Sequence, residues 1–119
     1  MKSFEDLEVY KKAFNFSVNI FRLSKSDNIN KNIVYQLERA ALSISNNIAE
    51  GFELQSNKQF VKFLYIAKGS SGECRNLLAI GYAINQINEE EYNKLRDDSL
   101  DISKQLSKFI NYLKQSNIN

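Results

Sequence analysis

Proline and histidine are both absent from this 119-residue chain, which has a single cysteine and only four glycines. Without proline, nothing obliges a helix to stop or kink, so long uninterrupted helices are favoured. Without histidine, the usual general base, the Ser-His and Cys-His nucleophile pairs and the commonest metal ligand are all missing. No metal site is expected. The lone cysteine, Cys74, cannot form an intramolecular disulfide, and it falls on an apolar stripe, where it reads as a small buried hydrophobe. No run approaches the ~18 apolar residues of a membrane span, and the N-terminus has no apolar secretory segment. A cytoplasmic chain with no membrane partner is expected. Gly69 and Gly72 fall within a helical stretch, not after a strand, so no phosphate loop is present and no cofactor is expected.

What remains is ordinary for a globular protein: 43% hydrophobic and 25% charged residues. The length suits one domain, over residues 1–119, with a real core. Four periodic segments predict an all-α, antiparallel up-down four-helix bundle, with helices near 4–24, 31–53, 57–87 and 89–114. Ser3-x-x-Asp6, Ser56-x-x-Gln59 and Asn88-x-x-Glu91 read as capping boxes, and Gly51 as a C-terminal cap. The tail from Gln115 to Asn119 is expected to fray.

The first helix carries two apolar stripes, Leu7-Tyr10-Phe14-Ser17-Phe21 and Val9-Ala13-Phe16-Ile20-Leu23. The third carries three lanes. Phe60, Leu64, Ala67, Ser71, Cys74, Leu78 and Tyr82 form one; Phe63, Ile66, Ser70, Glu73, Leu77, Ile80 and Ile84 another; Tyr65, Gly69, Gly72, Asn76, Ala79 and Ala83 a third. That leaves chiefly Lys58, Lys62, Lys68 and Arg75 for solvent. A helix apolar or small nearly all round is a buried one, so other subunits should cover it, in a closed ring of identical chains. The fourth helix follows one heptad line, Tyr92, Leu95, Ser99, Ile102, Leu106, Phe109 and Leu113.

Two polar stretches interrupt this apolar pattern. In the second helix Ala40, Ser43, Asn47 and Glu50 share a line, with Arg39 at its edge, beside the apolar stripe Leu37-Ala41-Ile44-Ile48. The third helix adds Ser70 and Glu73. Arg39, Ser43, Asn47, Glu50, Ser70 and Glu73 are expected to form a buried polar cluster with Arg39 near a glutamate, because polar groups next to a core must find partners. Glu50 and Glu73 could instead work as a carboxylate pair, binding a divalent ion or exchanging protons. A di-iron bundle would need two histidines more. With no other chemistry available, an enzyme is not expected.

Ser43-Ile44-x-x-Asn47-Ile48-Ala49-Glu50-Gly51 followed by Ala67-x-Gly69-Ser70-x-x-Glu73 resembles the 23S rRNA intervening-sequence proteins, a bacterial four-helix-bundle family. Phe4-x-x-Leu7-x-Val9-Tyr10-x-x-Ala13 and Gln36-Leu37-x-Arg39-Ala40-Ala41 match it too, so the resemblance runs from about Phe4 to Leu113. Members often have Trp in place of Tyr10 and a larger residue in place of Gly72. The resemblance implies a four-helix bundle and no defined enzymatic activity. Relatives include the accessory variability determinant of diversity-generating retroelements, a pentameric barrel that binds nucleic acid and a reverse transcriptase. It therefore implies a pentamer, and RNA, DNA, a reverse transcriptase or a ribosomal component as partners.

The net charge is only +2, with the basic excess in residues 1–75. Lys11, Lys12, Arg22, Lys58, Lys62, Lys68 and Arg75 are the candidate nucleic-acid contacts. Five copies in a ring would multiply their charge. Two functions stay open: a non-catalytic oligomeric scaffold for structured RNA or DNA, and a protein–protein interaction module that touches no nucleic acid.

Overall fold

The computed structural model describes residues 3–116. A 3-10 turn at Phe4–Asp6 leads into α1 (Glu8–Leu23), α2 (Lys31–Glu53), α3 (Asn57–Ala83) and α4 (Glu89–Ser116), and no strand occurs among the described residues. Side chains start three of the helices. Asn30 accepts from the Asn32 and Ile33 amides at α2, and Ser56 from the Gln59 amide at α3. At α4, Asn88 accepts from the Glu91 amide at 2.8 Å and donates to the Glu91 carboxylate at 3.0 Å. Each bond from a backbone amide satisfies a donor that the helix itself leaves unpaired.

The fourth start differs from expectation. Ser3 caps the 3-10 turn through the Glu5 amide, and an extended Leu7 separates that turn from α1. This break turns Leu7 into the core and sets the Phe4 ring edge-on to Tyr10 at 4.9 Å.

Two helix ends also move. The backbone of Gly51 is helical and lies inside α2; the left-handed residue is Gln55, at φ 56°. What Gly51 needs is space, since a Cβ there would lie 2.8 Å from Phe63 Cβ and 2.9 Å from Phe60 Cδ1. α3 ends at Ala83, four residues short of the expected Ile87, because Asn85 takes φ 63°. The Asn85 amide bonds to the Tyr82 carbonyl and the Gln86 amide to the Gly81 carbonyl, closing the last turn in a Schellman arrangement. Ile87 then folds back over Gly81 into the core. α4 continues through Ser116, two residues past its expected end; the remainder of the expected frayed tail, 117–119, lies outside the described residues.

Cross-helix contacts fix the topology. Ser43 meets Ser70 while Gly51 meets Phe60, so α2 and α3 run antiparallel. Tyr65 meets Lys114 and Tyr82 stacks on Tyr92, so α3 and α4 do too. α1 and α4 share clefts at Leu7–Phe109 and at Arg22–Glu91, which makes that pair antiparallel as well. The helices thus alternate in direction around a rod of 48 × 20 × 19 Å, with α2 against α3 the broadest contact and α1 against α4 the slightest. Inside lie Ala13, Phe16 and Ile20; Leu37, Ala41, Ile44 and Ile48; Leu64, Ala67, Cys74 and Leu78; and Leu95, Ile102, Leu106 and Ile110. Phe60 makes edge-to-face contacts with Phe52 and Phe109 at one end.

Three outcomes are expected. Gly51→Ala should lower stability by about 1 kcal/mol in urea melts: overpacking of roughly 1–3 kcal/mol outweighs a helix-propensity gain of about 1. Gln55→Gly should raise it by about 1 kcal/mol, because it relieves a left-handed side-chain residue. The third concerns Cys74, whose burial, helped by Glu73 and opposed by Arg75, pushes its thiol from 9.0 up to about 12. The folded chain holds that proton more tightly than the unfolded one, so this contribution is full below about pH 9 and is lost as pH rises toward 12. Cys74→Ala should therefore show a shallower loss of melting temperature across that window than the parent.

Candidate functional surface

The expected polar cluster forms only in part, and on the outside of α2 and α3. Ser70 Oγ donates to Ser43 Oγ at 2.7 Å, and Asn47 Nδ2 donates to the Ser43 hydroxyl and carbonyl at 2.9 and 2.7 Å. These three side chains are half-buried; Arg39, Glu50 and Glu73 are exposed. Arg39 lies over the Tyr35 ring, 5.8 Å from its centroid, and none of the three charges has an ion-pair partner among the described residues. The reason is angular. The shared line faces the outer groove between the two helices instead of the core, so Glu50 on it and Arg39 at its edge reach water.

Glu50 and Glu73 are not a carboxylate pair within the chain. Since Ser43 lies opposite Ser70 and Gly51 opposite Phe63, the two glutamates are offset by about ten residues along the axis, roughly 15 Å. Among the described residues no group of His, Cys, Asp or Glu could hold a metal ion. No helix among them is long and apolar enough to cross a membrane.

The seven candidate cations divide by environment. Lys12 bonds to Asp101 at 2.6 Å and Lys11 pairs with Glu8 at 3.6 Å. The hydrogen bond raises the Lys12 ammonium above its ordinary range and lowers the Asp101 carboxyl. That α1–α4 seam also carries Lys94 and Asp98, so it is mixed in charge rather than basic. Arg22 is exposed beside a cleft that contains Glu91. Lys58, Lys62 and Lys68 are exposed on α3, with no ion-pair partner among the described residues.

Arg75 is not the free surface cation expected. It is half-buried, and its Nη1 donates to Ser103 Oγ at 2.9 Å and Ser99 Oγ at 3.1 Å, with longer contacts of 3.4 Å to Ser71 Oγ and the Ser99 carbonyl. The serines bond to one another across the helices: Ser71 Oγ lies 2.7 Å from Ser99 Oγ, and Ser103 Oγ donates to Ser71 Oγ at 3.0 Å. Ser71 and Ser99 are fully enclosed and Ser103 is 8% exposed. This is the buried polar network of the bundle, and it joins α3 to α4. Its signal was present in the sequence, since Ser71 and Ser99 each interrupt an apolar core stripe and a buried hydroxyl needs a partner.

α3 is also less covered than its composition suggested. Only the Phe60-to-Leu78 lane is buried; Ile66, Ile80 and Ile84 are 52%, 42% and 48% exposed. On α1 and α2, Phe14, Tyr35 and Leu42 are exposed as well.

The 23S rRNA-intervening sequence protein model matches residues 5–108. A protein of unknown function from the S23 ribosomal protein family of Bacteroides thetaiotaomicron, solved by crystallography, is 30% identical. It superposes with a TM-score of 0.82 over 86% of this chain and 97% of its own. No curated protein matches. The family model spans most of the chain, which therefore belongs to the 23S rRNA-intervening sequence proteins.

Proposed function

We propose that this chain is a non-catalytic scaffold that assembles into a closed ring of identical copies and binds structured RNA or DNA through cations on α3. The observation that carries the nucleic-acid reading is that Lys58, Lys62 and Lys68 on α3 are all exposed and without ion-pair partners among the described residues. The family name, which refers to intervening sequences of 23S rRNA, points the same way.

Assembly is supported by two apolar patches on different faces, Ile66, Ile80 and Ile84 on α3 and Phe14, Tyr35 and Leu42 on α1 and α2. Unlike patches favour head-to-tail contacts, which form a ring where the rotation from copy to copy closes and an open filament where it does not. Arg39, Glu50 and Glu73 add exposed charges of both signs that a neighbouring copy could pair. Five is the copy number that the family resemblance implies, and five chains of +2 make a ring of about +10.

The isoleucine ladder also favours a second reading, a protein-interaction module whose partner, such as a reverse transcriptase or a ribosomal component, covers that ladder without any nucleic acid.

Light scattering at micromolar concentration should give five times the 13.8 kDa chain mass; the mass of one chain would sink the ring. Mobility shifts with RNA and DNA should weaken steeply between about 50 and 200 mM salt, and Lys62→Glu with Lys68→Glu should abolish them. No shift at the lower salt would favour the interaction module.

A further inference from the structure

Arg75 presents an unusual balance of charge. A guanidinium half-removed from water normally faces a carboxylate, because neutral acceptors compensate a desolvated cation only in part. Here its protein partners are three serine hydroxyls and one carbonyl, and it has no ion pair among the described residues. All four contacts fall on Nη1. Nε and Nη2 carry no hydrogen bond, yet neither is sealed from solvent without a partner. Among the described residues the guanidinium is therefore held by one corner, with its other donors within reach of solvent.

The adjoining positions keep that space open. Gly72 stands inside α3 with a helical backbone, where glycine is costlier than alanine. A Cβ on it would meet only Arg75 Nη2, at an ordinary 3.7 Å. Packing within the chain thus gives no reason for a glycine there, while a longer side chain would have Nη2 within its reach. Lys68 lies four residues before Gly72 and seven before Arg75, on the same side of α3, exposed and unpaired among the described residues.

We propose that Arg75, anchored by Ser71, Ser99 and Ser103 and uncovered at Gly72, seats a phosphate group on its Nε and Nη2 edge, with Lys68 supplying a second positive charge. A planar fork matches two phosphate oxygens, and one already fixed by hydrogen bonds loses little freedom on binding. The phosphate is that of a nucleic-acid backbone, so this seat rests on the function proposed above; a free phosphate has the same chemistry, and the experiment separates the two.

The test follows the Arg75 Nε–Hε resonance by NMR at about 50 mM salt during titration with inorganic phosphate and, separately, with a short RNA hairpin. Gly72→Glu places a carboxylate beside Nη2 and leaves the serine contacts in place; Gly72→Ala, whose Cβ fits, is its packing control. Thermal melts verify that both fold. The resonance should shift with RNA. Gly72→Glu should abolish that shift, weaken RNA binding about tenfold and lower the salt slope by about one ion, whereas Gly72→Ala should leave binding intact. A shift with inorganic phosphate but not with RNA would keep the seat and assign it to a free phosphate, against the nucleic-acid reading. RNA binding with an unmoved resonance and an unaffected Gly72→Glu would overturn the seat and leave the scaffold standing. A resonance unmoved by either ligand overturns it as well.

Discussion

The close approach of α3 to its neighbours depends on the short side chains at its middle. Ala67, Ser70, Ser71 and Cys74 occupy the turns that face Ser43 of α2 and Ser99 of α4. There hydroxyls reach across directly, Ser70 to Ser43 on one side and Ser71 to Ser99 on the other. Longer apolar side chains would hold the helices apart and leave those hydroxyls without partners. Larger residues, Phe52, Phe60 and Phe109 at one end and Tyr82 and Tyr92 at the other, fill the ends of the rod, and at the phenylalanine end it is Gly51 that lets α2 lie against α3. These contacts decide which residues remain outside. α2 and α4 cover one lane of α3, and the isoleucine lane and the lysines are left on the surface.

Much of this was legible in the sequence. Absence of proline and presence of capping residues gave four helices, and the α3 and α4 starts at Ser56 and Asn88 follow the signals. The ends were harder because they turn on single backbone conformations. Asn85 and Gln55 take left-handed geometry where no glycine announces it, whereas Gly51, the natural candidate, sits inside a helix to make room for two phenylalanines. Periodicity places a residue at an angle on its helix; it does not tell whether that angle faces the bundle or its outer groove. Arg39, Glu50 and Glu73 were assigned to the interior on that account, and Arg75 to the surface. Burial reverses both assignments, since the wheel angle was right in each case and the direction of the neighbouring helix was the missing quantity.

The two polar networks also differ in what they can do. The α2–α3 link of Ser43, Asn47 and Ser70 borders solvent, so water can replace any bond it loses. The α3–α4 network does not have that freedom. A typical hydrogen bond contributes about 1 kcal/mol net, but a buried donor or acceptor stripped of its partner costs about 1–3 kcal/mol. Such a network penalises wrong arrangements more than it rewards the right one.

That asymmetry matters most for α4. Its core line repeats large apolar residues at heptad spacing, Leu95, Ile102, Leu106 and Leu113, so hydrophobic burial alone would be nearly as well satisfied if α4 slid along α3 by a heptad. Ser99 and Ser103 break this degeneracy. A slide would set both hydroxyls against apolar side chains, leave Ser71 alone among the core residues of α3 and strip Nη1 of Arg75 of its α4 acceptors, Ser99 and Ser103. Several orphaned groups at once exceed what the exchanged apolar contacts could recover. The serines therefore fix the register of α4, and through Arg75 they also fix which edge of a cation reaches the surface, and at what height along the rod relative to Lys68.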